Sequence, residues 1–228
     1  MTRFLKSQSL RELQDFVARI YEGPDNRLYS ISDLLAYEQS FTMRALKGIR
    51  KDDLKKLRVN LLISFSYVMS IATRIGIDID SEVWKRFPMV CSYCGRQPCE
   101  CKKIKLQKRR KITTISSLRP KTLSDFQKMF QAIYPHEKRT LADAGIHLAE
   151  ETGELSEAVH SYLGQHTKKQ FDRIRLELAD LLSCIFGVAN SADILVGDEF
   201  EKLYRNGCQE CHRMPCVCTF AYVANIVT

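Results

Sequence analysis

Two stretches of the chain carry acids at a spacing that can do chemistry: HLAEETGELSEAV (147–159) and RLELADLLSCIFGVAN (175–190). Glu151 and Glu154 lie three positions apart in the first, and Glu177 and Asp180 lie three apart in the second. On a helix, residues i and i+3 share a face. Both pairs sit among core-type residues, Leu148, Leu155 and Ala158 in one stretch and Leu178, Leu181 and Leu182 in the other. A carboxylate beside an apolar stripe is costly to bury unless something neutralises it. Two antiparallel helices would gather four such groups, and a hard divalent cation relieves their repulsion. Ligands that are all oxygen favour Mg²⁺ or Mn²⁺ over zinc. A single ExxE is ordinary on a solvated helix face; two such pairs, each inside an apolar pattern, are more specific.

The cysteines form a second constellation. Cys91, Cys94, Cys99 and Cys101 have the spacing C-x2-C-x4-C-x-C, and Cys208, Cys211, Cys216 and Cys218 repeat it 117 residues later. Four thiolates within eleven residues suit a closed, tetrahedral Zn²⁺ site, so two structural Zn²⁺ per chain are expected, each pinning the end of one copy. Reduced buried thiols are the alternative. An iron–sulfur cluster fits less well, because the spacing is not that of the common ferredoxin runs. His212 is a spare ligand at most, and Cys184 reads as a core residue.

The elements that must position these groups come in two copies. Arg58, Ile77 and Lys85 match Arg175, Ile194 and Lys202 in the register of the cysteines. Further upstream the register is 113, and SLRELQDFVARIY (9–21) matches TLSDFQKMFQAIY (122–134). The expected organisation is residues 1–101 with one four-cysteine cluster, a basic linker 102–121, and residues 122–228 with the second cluster. Periodicity within each copy is helical. Ser9 or Thr122 caps a first helix, and further helices are expected at 141–163, 168–192 and 198–206. The one segment that reads as a strand is the apolar tail Phe220–Val227. The fold class is all-α, a helical bundle of two repeats with pseudo-two-fold symmetry.

Composition excludes several classes. The net charge is +8, but residues 102–121 contribute nine Lys or Arg and no acid, which leaves about −1 for the rest. A generally basic, DNA-coating chain is therefore not expected. The linker is open to a nucleic acid or acidic partner, to a role as a solvated tether, or to attracting triphosphate. No apolar run approaches the roughly 20 residues that cross a bilayer, and Met1–Ser9 does not read as a signal peptide, so a cytoplasmic protein without a membrane partner is expected.

EETGE followed by ELAD resembles the EExxE…ExxD signature of the MazG-like, all-α nucleotide pyrophosphohydrolases. The resemblance covers residues 122–206 and, more faintly, 9–87. It implies that Glu151, Glu154, Glu177 and Asp180 hold Mg²⁺, with Glu150 in the first acidic position. It also implies that Asn190, Lys202 and Arg205 hold phosphates. The implied reaction is metal-assisted attack of water on the α-phosphorus of a nucleoside triphosphate, giving (d)NMP and pyrophosphate. No Walker GxxxxGK[ST] motif is present. Family dimers imply that the two copies form a pseudo-dimer within one chain, with further oligomerisation left open. The first copy keeps Glu38 at the position of Glu151. It has Phe41, Asn60 and Ile63 at those of Glu154, Glu177 and Asp180, so one catalytic cluster per chain is expected. The four-cysteine clusters depart from the plain family pattern. The competing expectation is a catalytically weak, zinc-stabilised nucleic-acid-binding or adaptor protein on the same fold.

Overall fold

Ser9 and Thr122 each open a helix with a reciprocal capping box, with Glu12 and Asp125 respectively. Ser30, Thr140 and Thr167 do the same for three more helices, and Asp53 and Asp78 cap two others by side chain alone. Such caps satisfy N–H groups that the helix itself cannot. The computed structural model describes residues 3–219. Among these it has α1 (Leu10–Leu28), α2 (Ile31–Arg50), α3 (Leu54–Arg74), α4 (Ile79–Arg86), α5 (Leu123–Ile133), α6 (Leu141–Gln165), α7 (Lys168–Ser191) and α8 (Val196–Leu203), and no strand. The tail Phe220–Val227 lies outside the described residues. Among the described residues no single helix is long and apolar enough to cross a membrane. The all-α expectation and the four helix positions in the second half agree with the structure to within a few residues.

The two halves repeat each other's contacts. Gln14 donates to the Ile77 carbonyl (2.8 Å) and accepts from the Ile79 amide (3.1 Å). Gln127 donates to the Ile194 carbonyl (2.8 Å) and accepts from the Val196 amide (2.9 Å). Each glutamine therefore fastens the first helix of its half to the turn before the last. The first helices differ in length. α5 stops at Ile133 because Pro135 follows Tyr134, and the residue before a proline is driven out of the helical region. α1 has Glu22 at the matching place and runs on to Leu28.

Neither half has a core of its own. α2 packs on α6, α3 on α7, α4 of the first half on α7 of the second, and α8 of the second on α3 of the first. Phe65 of α3 meets Phe186 of α7 edge-on at 5.4 Å and Phe200 of α8 at 5.1 Å. Phe87 meets Phe130 at 5.2 Å, and Phe130 stacks on Phe186 at 5.3 Å. Aromatic pairs in these arrangements add to area burial, and buried apolar residues of both halves join one cluster.

The first half holds a carboxyl as a buried group. Glu38 is fully buried; its Oε1 accepts from Thr42 Oγ1 (2.7 Å) and Ser64 Oγ (2.8 Å), and its Oε2 has no hydrogen-bond partner. Burial, opposed by those two hydroxyls, pushes the carboxyl up to about 7. That value exceeds the unfolded one, so the associated stability is present below about pH 4.5 and is lost as pH rises through 7. From pH 4.5 to 8 the stability difference between Glu38→Gln and wild type should therefore move in the variant's favour, by at most about 3 kcal/mol. Urea melts of both proteins at the two pH values check this.

Candidate active site and metal centres

α6 and α7 bring the acids together. The two helices are joined through His166, whose φ of 52° makes the left-handed turn, and Thr167, which starts α7. Leu148, Thr152 and Leu155 bury the inner face of α6, and Leu178, Leu181 and Leu182 that of α7. Glu151 is carried half-buried at the edge of the first face, with Glu177 and Asp180 at the edge of the second. Glu151, Glu177 and Asp180 each offer an oxygen within 4.8 Å of the others. Glu151 Oε2 is buried and has no hydrogen-bond partner. Burial and the nearby carboxylates of Asp180, Glu154 and Glu177 push the Glu151 carboxyl up to about 8. Burial also raises that of Glu177, against a hydrogen bond from Arg173 Nε (3.3 Å). An orphaned carboxylate oxygen facing two more acids, in a half-buried setting with oxygen donors alone, fits a hard divalent cation.

Two acids of the EETGE motif stand apart. Glu154 is exposed and lies outside that close set, although its charge reaches Glu151 and Glu177. Glu150 points to solvent and pairs with His147 at 3.0 Å.

The structure does not bring the expected phosphate ligands to the carboxylates. Asn190 is buried and locked to α5: it accepts from Gln127 Nε2 (2.9 Å) and donates to the Gln127 carbonyl (3.3 Å). It also lies ten residues along α7 from Asp180, a rise of roughly 15 Å. Lys202 donates to Glu199 (2.7 Å), and Arg205 is exposed in the turn after α8. α8 packs on α5 and α3, so these cations sit away from the carboxylates. The helix that does cross α7 is α4 of the other half.

Arg86, the last residue of α4, donates from Nε to Asp180 Oδ1 (2.9 Å) and from Nη2 to Asp180 Oδ2. The two side chains retain 11% and 12% exposure, so this is a nearly dry, two-pronged ion pair. Sequence reasoning missed Arg86 because its acid is 94 residues away. A second guanidinium lies further along α7. Arg139 packs over Gly187 so closely that any Cβ there would collide with it, and its Nε and Nη2 are buried without partners. Glu177, Asp180, Cys184 and Gly187 follow one another at helical steps, so both guanidiniums sit on the face of α7 that carries the acids. Cys184 is half-buried against the core, as expected of a packing residue.

The cysteines form two knuckles, and all nine thiols are free. Sulfur–sulfur distances are 3.6 Å for Cys91–Cys101, 3.9 Å for Cys94–Cys99, and 3.9 Å for both Cys208–Cys218 and Cys211–Cys216. Tetrahedral Zn²⁺ with bonds of about 2.3 Å requires about 3.8 Å between sulfurs, so the spacing fits. Amides of Tyr93, Glu100, Cys101 and Cys218 point at sulfurs, which favours thiolate. His212 is exposed and outside the set.

Each knuckle grips the opposite half. The Cys99 amide donates to the Ile133 carbonyl and the Cys216 amide to that of Ile20, both at 2.8 Å. The hydroxyls of Tyr134 and Tyr21 reach Cys91 and Cys208 Sγ at 3.5 and 3.7 Å.

The linker is held against the first knuckle. Tyr93 Oη donates to the Leu106 carbonyl (2.9 Å), the Arg110 amide donates to the Tyr93 carbonyl (3.0 Å), and Arg109 lies over the Tyr93 ring. Lys102, Lys103, Lys105, Lys108, Arg110 and Lys111 are exposed along it.

Residues 139–206 match the family described as the MazG nucleotide pyrophosphohydrolase domain. No curated protein and no solved structure gives a significant match. The matched segment begins at Arg139, spans α6, α7 and α8, and contains every acid of the EETGE and ELAD motifs. Over residues 139–206 the chain is thus similar to the MazG nucleotide pyrophosphohydrolase domain.

Proposed function

We propose that the chain is a divalent-cation-dependent pyrophosphohydrolase that converts a nucleoside or deoxynucleoside triphosphate to the monophosphate and pyrophosphate. The observation that carries this reading is the orphaned Glu151 oxygen facing Glu177 and Asp180. Glu151, Glu177 and Asp180 would hold Mg²⁺ or Mn²⁺. Glu154, one turn along the same face of α6, would complete the set. The cation supplies charge neutralisation and Lewis acidity at the triphosphate. The chain's own part is to hold these acids converging, and to keep Arg139 within the same face as an anchor for the anionic substrate. The test is pyrophosphate release from a panel of NTPs and dNTPs with Mg²⁺. The expected result is release that stops on chelation, and no release from any member of the panel would overturn the reading.

The first half, on this reading, is a second copy of the same unit that no longer binds the catalytic cation. The repeated glutamine pins and the crossed knuckles support a duplication that forms a pseudo-dimer within the chain, with bounds near 1–101 and 122–228. Two structural Zn²⁺ would sit in the knuckles. The free thiols suit a reducing, cytoplasmic setting.

A second reading, binding of nucleic acid, is favoured by the basic linker held on the first knuckle, since a fixed row of cations is a ready phosphate surface. Fluorescence anisotropy with single-stranded oligonucleotide tests it. About six phosphate contacts predict a slope of log K against log salt near −4. Replacing Lys105, Lys108, Arg110 and Lys111 by Ala should reduce that slope by more than half, and a flat salt dependence in the intact protein contradicts the reading.

A further inference from the structure

The geometry points to Arg86 as a substrate ligand supplied by the N-terminal half: it neutralises Asp180 until the divalent cation binds, then turns its guanidinium onto a phosphate of the triphosphate. The inference rests on the reading of Glu151, Glu177 and Asp180 as cation ligands.

Three observations carry it. First, Arg86 engages both oxygens of Asp180, so that carboxylate is already neutralised by a cation of the protein. The charges of Glu177 and Glu151 act on the same guanidinium. A divalent cation drawn in by Glu151 and Glu177 therefore competes with Arg86 for Asp180. Second, the Arg86 side chain is only 11% exposed. Losing its carboxylate there would leave a nearly buried charge without a partner, which is strongly unfavourable. Another anionic group with two oxygens must take its place, and the planar fork of arginine fits phosphate as well as carboxylate. The backbone need not move, because Trp84 and Phe87 on either side are buried in the core and a side-chain rotation is enough.

Third, the pair is absent from the matching place in the other half. Ile63 stands at the position of Asp180, and Leu203, 117 residues after Arg86, stands at the position of the arginine. Acid and arginine are both replaced by apolar residues where the cation site is lost. A simple tie between the halves would have had no reason to follow the acids, since Arg58 and Glu199 make such a tie on that side.

The experiment uses the full chain, Mn²⁺ titration without nucleotide, and binding of a non-hydrolysable triphosphate analogue in the presence of Mn²⁺. In Arg86→Met, Mn²⁺ alone should bind at least about tenfold tighter than in wild type, because its internal competitor is gone, while the analogue should bind at least about tenfold weaker. Arg86→Lys keeps the charge and loses the fork, so both effects should appear with the same signs and smaller size. This second variant keeps the test decisive if Arg86→Met does not fold. Unchanged or weaker Mn²⁺ binding in the variants, or unchanged analogue binding, would show Arg86 to be a structural tie and overturn the inference. Failure of the wild type to bind Mn²⁺ is a separate result, which removes the cation site itself.

Discussion

Replacing Glu151 by glutamine lowers pyrophosphate release by at least about a thousandfold and abolishes tight Mn²⁺ binding, while the fold survives. The magnitude follows from the oxygen lost. Oε2 of Glu151 is the buried, unpartnered acceptor of the cluster, and an amide there offers one neutral oxygen and an unwanted donor. Losing about 4 kcal/mol of transition-state stabilisation corresponds to three powers of ten. The fold survives because the carboxyl is held up near 8 by burial and by Asp180, Glu154 and Glu177. Its ionised form therefore opposes folding between about pH 4.5 and 8, and the neutral amide relieves that opposition. Glu150→Gln serves as the control. Its carboxylate is exposed and paired with His147, so its release rate should stay within about twofold of wild type. Release and Mn²⁺ binding measured on the same two preparations decide the matter, and near-normal turnover in Glu151→Gln would remove the assignment of the site.

Stripping the knuckles of metal should lower the melting temperature by at least about 8 °C. Structural Zn²⁺ in such sites contributes roughly 10–16 kcal/mol of apparent binding free energy. If only about 4 kcal/mol of that is felt as stability, a chain of this size shifts by roughly 8–16 °C. The crossed arrangement makes the loss global. Cys99 and Cys216 anchor to Ile133 and Ile20, so opening either knuckle frees a carbonyl of the other half's first helix, at the last residue of α5 and in the middle of α1. Cys216→Ser should thus loosen α1 as well as its own knuckle, visible as faster amide exchange near Ile20. Native mass spectrometry should count two Zn²⁺ per chain. Eight titratable thiols in the folded protein, with no effect of chelator on melting, would contradict the zinc account.

The helices and the triad of acids were legible because both depend on local spacing. Capping residues, apolar periodicity and i, i+3 carboxylates are set within one or two turns, and Ser9, Thr122, Glu177 and Asp180 all stand where that logic puts them. The cysteine knuckles were legible for the same reason. The basic residues at the site were not. Lys202 and Arg205 follow the acids in sequence, but α8 crosses to the first half and α4 crosses back, so the cation beside Asp180 comes from Arg86. Nothing in the spacing of Arg86 signals this, since Lys85 pairs locally with Glu82 and Arg86 finds no acid in its own half. Asn190, named by the resemblance alone, is instead held by Gln127, 63 residues earlier, a partner that spacing does not reveal. The crossing of the knuckles is hidden for the same cause: spacing reports which four sulfurs meet but not which helix they grip.

The most direct test is the identity of the products. With Mg²⁺ and a single nucleoside triphosphate, phosphorus NMR of the reaction should show pyrophosphate and nucleoside monophosphate rising together, one for one, and no change when EDTA is added first. Orthophosphate and nucleoside diphosphate instead would mean that a different anhydride is cut, and the account of the Glu151, Glu177 and Asp180 cluster as a pyrophosphohydrolase site would be wrong.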